Sequence, residues 1–465
     1  VLFERFEDKG LAQYSYALGC EAAGQIAIVD PRRDIDVYLE FAATRRLRIT
    51  HVLETHIHAD FASGARELAE YTGAMHAVSA YDTGEMFQAS FRHKDLKDSQ
   101  RIQIGRVIVE AIHTPGHTPE HIMFLVYDTA RTSAVPQLML TGDFVFVGSV
   151  GRPDLIGEEL KIQLAGQLFD SLQKLHRLPD GVEIHPGHGA GSMCGSGMAA
   201  RPMSTLGFER LANPFLDRSL SRDDFIEKLL SNLPPFPPYY RRMKVINAKG
   251  ARSLNGIPGG RPLAASLVYD RVIQGHVIVD VRDPMAFAGG HIHGAFGIGL
   301  GQLLSTWAAW VVPYDTPIVL VVPDPLRVPE AARALIRVGL DEITGYVDGG
   351  MQAWAERGYR VAHTPVVPPK ELASRLRGNG LRVLDVRNDE EWQAGHICEA
   401  THVMGGTLPE RAAEFAGDSP LAVVCATGYR STVAASVLER AGAREVINLA
   451  GGMNAWQEAG LPVCS

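Results

Sequence analysis

Over residues 1 to 190, short apolar runs alternate with polar loops. Ile26-Ala27-Ile28-Val29-Asp30, Ile108-Val109-Glu110-Ala111-Ile112, Ile122-Met123-Phe124-Leu125-Val126 and Leu138-Met139-Leu140 read as strands. Helical segments separate some of them: one begins at Gly64 and ends at Gly73, and another is predicted around Leu160 to Leu175. This alternation suits an α/β sandwich that carries its chemistry on loops at one edge of the sheets. The proline stretch Pro234-Pro235-Phe236-Pro237-Pro238 and the glycine-rich Gly256-Ile257-Pro258-Gly259-Gly260 read as a boundary.

Beyond that boundary the pattern repeats. Val279-Asp280-Val281-Arg282-Asp283 returns as Leu384-Asp385-Val386-Arg387-Asn388, and Gly290-His291-Ile292 returns as Gly395-His396-Ile397. Gly349-Gly350-Met351-Gln352-Ala353-Trp354 returns as Gly451-Gly452-Met453-Asn454-Ala455-Trp456. A spacing of roughly a hundred residues is the size of a small domain. Both copies resemble the rhodanese fold, a parallel sheet flanked by helices. Thr364-Pro365-Val366-Val367-Pro368-Pro369 reads as a stiff linker between them. The expected domains are therefore 1–250, 262–363 and 366–465.

Composition narrows the class. A chain of 465 residues is too long for one ordinary core. Its net charge of -8 argues against nucleic acid or an anionic membrane as a partner. No apolar run is long enough to span a bilayer, and the first residues lack a signal-peptide pattern, so a cytoplasmic location is expected. The five cysteines, Cys20, Cys194, Cys398, Cys425 and Cys464, are odd in number and scattered. They read as thiols rather than as a disulfide framework.

The first half is organised around Glu54-Thr55-His56-Ile57-His58-Ala59-Asp60-Phe61, where the apolar Thr50-His51-Val52-Leu53 strand runs into a loop. Two imidazoles at alternate positions point the same way and can converge on one metal ion. Thr114-Pro115-Gly116-His117, Thr141-Gly142-Asp143 and His185-Pro186-Gly187-His188-Gly189 follow in order. Together these motifs resemble the metallo-β-lactamase superfamily, which implies an αββα sandwich followed by the two rhodanese-like α/β domains. Phe61 stands where that family usually has a histidine for a second metal, so one metal per chain is expected.

Two longer stretches sharpen the resemblance: Thr141-Gly142-Asp143-Phe144-Val145-Phe146-Val147-Gly148-Ser149-Val150-Gly151-Arg152-Pro153-Asp154-Leu155 and Gly189-Ala190-Gly191-Ser192-Met193-Cys194-Gly195. They are similar to the persulfide dioxygenase branch, in particular to bacterial fusions with rhodanese domains. The resemblance implies Fe(II) held by His56, His117 and Asp143, with zinc the alternative because it accepts the same ligand types. It also implies that His58, Asp60 and His188 stand behind the ligands and orient them. Arg152 matches an arginine near the family's substrate. Its guanidinium can pair with a substrate carboxylate or phosphate, or make a structural ion pair. Cys194 is a candidate persulfide carrier or attacking thiol; its other reading is a small buried hydrophobe. Cys20 could line the same site, but nothing in its context separates it from a core residue. His51, His121 and His185 read as loop hydrogen-bonders.

In the second repeat, Val423-Val424-Cys425-Ala426-Thr427-Gly428-Tyr429-Arg430-Ser431 is a strand, a cysteine, a tight loop and a helix start. Inward backbone N–H groups and the helix dipole stabilise a thiolate there, and then the persulfide it carries. This matches the rhodanese active-site loop, with Cys425 the sulfur-bearing thiol and Arg430 bracing the loop or meeting an anionic substrate. In the first repeat Val322 stands at the equivalent position and prolines remove amide donors, so no sulfur transfer is expected of it.

The resemblance thus implies oxidation of a low-molecular-weight persulfide by O2 to sulfite, coupled to sulfane-sulfur transfer at Cys425 that can yield thiosulfate. A glyoxalase II-like zinc thioester hydrolase and a sulfur-carrier or persulfide-sensing protein are the rival readings. Exposed surfaces on an inactive domain are consistent with a homo-oligomer. The physiological thiol cannot be read from the sequence.

Overall fold

The computed structural model describes residues 1–231, 233–378 and 380–464. The chain forms two compact units, Val1–Gly256 with Ile336–Gly339, and Ile257–Leu335 with Leu340–Ser465.

The first unit is built on two six-stranded sheets. One runs in spatial order Leu2–Asp8, Gln13–Cys20, Gln25–Val29, Arg48–Leu53, Met75–Ser79, Lys94–Leu96. The other runs Ser204–Thr205, Glu183–Pro186, Leu138–Gly142, Ile122–Asp128, Val107–His113, Arg101–Ile104. Their inner faces share one core, in which Tyr16, Val29 and Leu53 meet Val109, Phe124 and Leu140. The Asp36–Thr44 and Ala65–Thr72 helices cover the outer face of the first sheet through Tyr38, Phe41 and Leu68. The Lys161–Leu172 and Arg222–Leu230 helices cover the second through Leu168, Leu172 and Phe225. The layers are therefore αββα. Ile122–Asp128 is apolar along nearly its whole length because Phe124 and Val126 face the sandwich while Met123 and Leu125 face the helix layer. Leu168 is fully buried in that layer, a burial worth about 1.5–3 kcal/mol.

The second unit holds two five-stranded, all-parallel sheets with the same strand order. In the first copy it is Pro262–Leu263, Ile343–Val347, Ile318–Val321, Val277–Asp280, Phe296–Gly297. In the second it is Val366–Val367, Val446–Leu449, Leu421–Val424, Arg382–Asp385, Thr401–His402. The repeated Asp-Val-Arg motif has the same job in both. Arg282 pairs with Asp280 and donates to Gly290 O, while Arg387 pairs with Asp385 and donates to Gly395 O.

Three expectations need correction. Of the two stretches read as a boundary, the glycine-rich one is where the units divide, between Gly256 and Ile257, whereas the proline one lies inside the first unit, ahead of the Tyr239–Lys249 helix. The presumed linker is largely structure, since Val366–Val367 is a strand of the last sheet and Pro368 caps the Pro369–Leu376 helix. Cys398 and Cys464 form a disulfide across 66 residues, because the His396↔Cys464 bridge brings the last turns of the chain beside the Gly395-His396-Ile397 turn. Linear spacing carried no trace of that bridge. No described helix is long and apolar enough to cross a membrane.

Candidate functional site

The edge where the sandwich strands end gathers the histidine loops. The Arg48–Leu53 strand delivers His56, the Val107–His113 strand leads to His117, and Asp143 follows Leu138–Gly142. Their ligand atoms lie within 4.8 Å of one another, with Asp143 Oδ2 3.9 Å from His56 Nε2 and 3.4 Å from His117 Nε2. All three atoms are buried and without a hydrogen-bond partner among the described residues. Such orphans are costly unless something else satisfies them. An ion about 2.1 Å from each donor sets neighbouring donors about 3.0–3.4 Å apart, so small side-chain rotations suit this triad to one metal ion.

The opposite atom of each ligand is already held. His56 Nδ1 meets Thr55 Oγ1 at 2.9 Å, and Thr55 is fixed through its N–H and hydroxyl by the Asp30 carboxylate. His117 Nδ1 donates to Arg152 O at 2.9 Å, which leaves its Nε2 as the lone-pair atom. Asp143 Oδ1 takes a 2.7 Å bond from His188 Nδ1, leaving Oδ2 free, and His188 Nε2 meets Asp60 Oδ2 at 2.7 Å. Burial, then the neighbouring imidazoles, push His56 and His117 well below the ordinary histidine range, so both are neutral donors. Burial alone would lower His188 as well, but the Asp143 and Asp60 carboxylates raise it well above that range.

In the second unit Cys425 follows the Leu421–Val424 strand and is fully buried. Gly428 N–H donates to its Sγ at 3.1 Å and Ser431 Oγ lies 3.4 Å away, both at the start of the Tyr429–Arg440 helix. Arg430 makes two 2.6 Å bonds to Glu391. In the first copy Val322 stands after the equivalent Ile318–Val321 strand, and Asp324 caps a turn that begins at Pro325.

A metallo-beta-lactamase superfamily model matches residues 9–188, and a rhodanese-like domain model matches twice, at 264–357 and 368–459. The crystal structure of a metallo-beta-lactamase from Staphylococcus aureus is 35% identical, covers 74% of this chain and 98% of its own, and superposes with a TM-score of 0.65. The chain belongs to the metallo-β-lactamase superfamily. It joins that superfamily's domain to two rhodanese-like domains. The hydroxyacylglutathione hydrolase of Rhodospirillum rubrum is 33% identical over 175 residues, 38% of this chain and 61% of that protein. The chain spans less than two thirds of the length of the first curated relatives it matches. The structure of ETHE1 from Myxococcus xanthus is 27% identical over 53% of this chain and 98% of its own, with a TM-score of 0.45.

Within this metallo-β-lactamase domain the residues behind the triad are close at hand. His58 Nε2 lies 3.2 Å from Asp30, and Phe61 packs 4.4 Å from the His58 ring, filling space beside His188 with a side chain that cannot coordinate. Asp60, His188 and Cys194 form a second buried group within 4.8 Å, but both His188 nitrogens are engaged by carboxylates.

Arg152 takes the structural alternative. Its guanidinium is buried against Asp154 and donates to the carbonyls of Met193, Pro234 and Pro235, so all five N–H donors are spent and none is left for a substrate. Cys194 lies beside Asp60 and His188, its Sγ 3.7 Å from the Tyr240 hydroxyl, but burial and then the Asp60 and Asp143 carboxylates push its thiol well up. A protonated, enclosed thiol is a poor nucleophile, which counts against the attacking role. Cys20 ends the strand whose other end, Gln13, bridges to His188, about 23 Å away along the chain. His121 Nε2 accepts the Asp143 N–H at 3.1 Å and Nδ1 meets Thr114, a loop-bonding role. Arg430 is paired with Glu391 of the Asp389–Gln393 helix.

Sequence reading missed the groups that hold the histidine loop from behind. Lys244 donates to Ile57 O at 2.7 Å, Glu120 accepts the Ile57 N–H at 3.0 Å, and Asn247 bridges His58 O and Phe61 O. A signal was there: Tyr240, Met243, Lys244 and Asn247 share one helix face, so a lysine and an asparagine occupy positions where core residues belong.

Proposed function

We propose that this chain oxidises low-molecular-weight thiol persulfides with O2 at an iron centre held by His56, His117 and Asp143, and transfers sulfane sulfur at Cys425. The observation that carries this reading is the buried triad of unpartnered ligand atoms with Phe61 closing the neighbouring position. Two imidazoles and one carboxylate on one face suit a non-haem Fe(II) oxygenase. Iron bound there supplies the redox chemistry that O2 needs and a place for a sulfur anion. His188 holds Asp143 Oδ1 and shares its second proton with Asp60, so the carboxylate presents one fixed oxygen to the ion. Lys244, Glu120 and Asn247 keep the His56 loop from shifting. One persulfide, one O2 and one water give one thiol, one sulfite and two protons. At Cys425 the thiol takes the outer sulfur of a second persulfide and releases its thiol. Sulfite then accepts that sulfur as thiosulfate, restoring Cys425.

Similarity to hydroxyacylglutathione hydrolase favours a second reading, zinc-dependent thioester hydrolysis. Such an activity has no evident use for Cys425. Metal analysis with an oxygen trace on glutathione or coenzyme A persulfide separates the two. The proposal expects about one iron per chain, O2 uptake that His56→Ala abolishes, and sulfur transfer to cyanide that the same variant keeps. Two zincs per chain with thioester cleavage and no O2 uptake would refute it.

A further inference from the structure

We infer that the cysteine-less rhodanese copy is a positioning element of the sulfur site: it clamps both ends of the helix whose N-terminus cradles Cys425. The inference rests on the reading of Cys425 as the sulfur-transferring thiol.

The Tyr429–Arg440 helix is 12 residues, about 18 Å long, and its first turn presents the Gly428 N–H and Ser431 hydroxyl to Sγ. At that end the Tyr429 hydroxyl donates to Gly299 O of the first copy at 2.8 Å. At the other end Glu439 receives three bonds from one turn of the first copy. They come from His291 Nε2 at 2.9 Å, His293 Nδ1 at 2.8 Å and the Gly294 N–H at 3.0 Å. Arg440 donates to Gly294 O and lies 4.4 Å over the Phe296 ring.

The internal repeat shows which of these contacts belong to the fold. His291 and His396 are equivalent, and both use Nδ1 on a carbonyl four residues back, Phe287 O at 2.9 Å and Trp392 O at 3.1 Å. That bond is the scaffold's own. Among the described residues, only in the first copy does Nε2 reach a carboxylate on the other copy's helix. In the cysteine-less copy this histidine is fully buried and bonded to Glu439, whereas His396 is half-buried.

A second contact lies on the same edge. Trp307 and Trp310 of the Leu304–Val311 helix sit against Gly405 and Gly406, where an added Cβ would come within 2.9 and 2.0 Å of the rings. Those glycines follow the Thr401–His402 strand, so they lie at the carboxyl edge of the sheet, as Cys425 does. That edge is where open α/β sheets take their ligands. The first copy thus holds the helix at both ends and also meets the second copy at the edge of the sheet that carries Cys425.

The consequence is mechanical. Hydrogen-bond stabilisation of a sulfur anion falls steeply as donors misalign, so a cradle resting on the Gly428 amide, with the Ser431 hydroxyl beside it committed to Asn448 Oδ1, needs its helix held in place. Tyr429→Phe releases the N-terminal anchor and Glu439→Gln weakens the C-terminal one, each without a change of bulk.

The test uses the full chain and measures sulfur transfer from glutathione persulfide to sulfite, together with the alkylation rate of Cys425 by iodoacetamide. Expected for each variant is a kcat about tenfold lower, KM for the persulfide within twofold, slower alkylation, and unchanged far-UV circular dichroism and O2 uptake. His293→Ala, which removes one exposed donor, should give a smaller loss of the same kind. Wild-type kcat and alkylation rate in Tyr429→Phe and Glu439→Gln would overturn the clamp. So would a loss confined to thermal stability. If instead wild-type protein and Cys425→Ser transfer sulfur equally, the reading of Cys425 itself fails and the clamp has nothing to position.

Discussion

Gly187→Ala is the sharpest probe of the metal centre, because it moves a ligand without touching one. A Cβ built at Gly187 lies 2.7 Å from Asp143 Oδ1, and its nearest backbone neighbours, at Gly142, are 3.2 Å or more away. Non-bonded heavy atoms settle near 3.5 Å, so the carboxylate must retreat by about 0.8 Å while the backbone gives by only a few tenths. Gly187 does not have a positive φ, so alanine adds no conformational strain there. The retreat breaks the 2.7 Å bond from His188 Nδ1 and swings Oδ2 off the line to His56 and His117. A charge-assisted hydrogen bond is worth about 1.5–3 kcal/mol. Losing a group that orients a metal ligand costs about 10–100-fold in affinity, which is about 1.4–2.7 kcal/mol. The two routes agree. Chelator competition followed by metal analysis should therefore show weaker metal binding by one to two orders of magnitude. Gly181→Ala, with open space around its Cβ and no positive φ, is the control and should match the parent. Metal affinity within twofold of the parent in Gly187→Ala would show that Asp143 is not held as described.

Phe61→His places an imidazole beside His58 and His188. It should raise metal content in zinc-containing medium from about one to about two per chain by elemental analysis, and an unchanged ratio would mean that Phe61 is not what excludes a second ion. Cys464→Ser opens the bridge to Cys398, whose 66-residue separation implies about 4 kcal/mol in the chain-entropy model. Denaturant unfolding followed at the second rhodanese-like domain should show that loss, and identical curves for the two proteins would count against the bridge. Glu439 has a folded pKa below the ordinary glutamate value; burial opposes this, and bonds from His291 and Gly294 outweigh it. Its contribution is then complete above about pH 4.3, the unfolded value, and is lost as pH falls through the folded one. An acid titration of stability should therefore be less steep in Glu439→Gln than in the parent, and parallel curves would contradict the assignment.

Some of this was legible in residue order alone. His56, His117 and Asp143 each sit where a strand gives out into a loop, and the resemblance of those loops to metallo-β-lactamase motifs is what grouped them as one ligand set. The duplicated Asp-Val-Arg and Gly-His-Ile motifs likewise announced two copies of one sheet, because each closes a turn within its own few residues.

What residue order could not show is the set of contacts that depend on two distant segments arriving at one place. Arg152 looks equally suited to substrate or scaffold until Asp154 and three carbonyls, two of them more than eighty residues away, take all its donors. Lys244 and Asn247 lie almost two hundred positions from the histidine loop they hold, and Cys398 meets Cys464 only because the chain end pairs with His396. Side-chain type sets what a group can bind, and a short strand or helix sets where it points. Which partner reaches it first is decided by packing, and packing joins residues through space rather than along the chain.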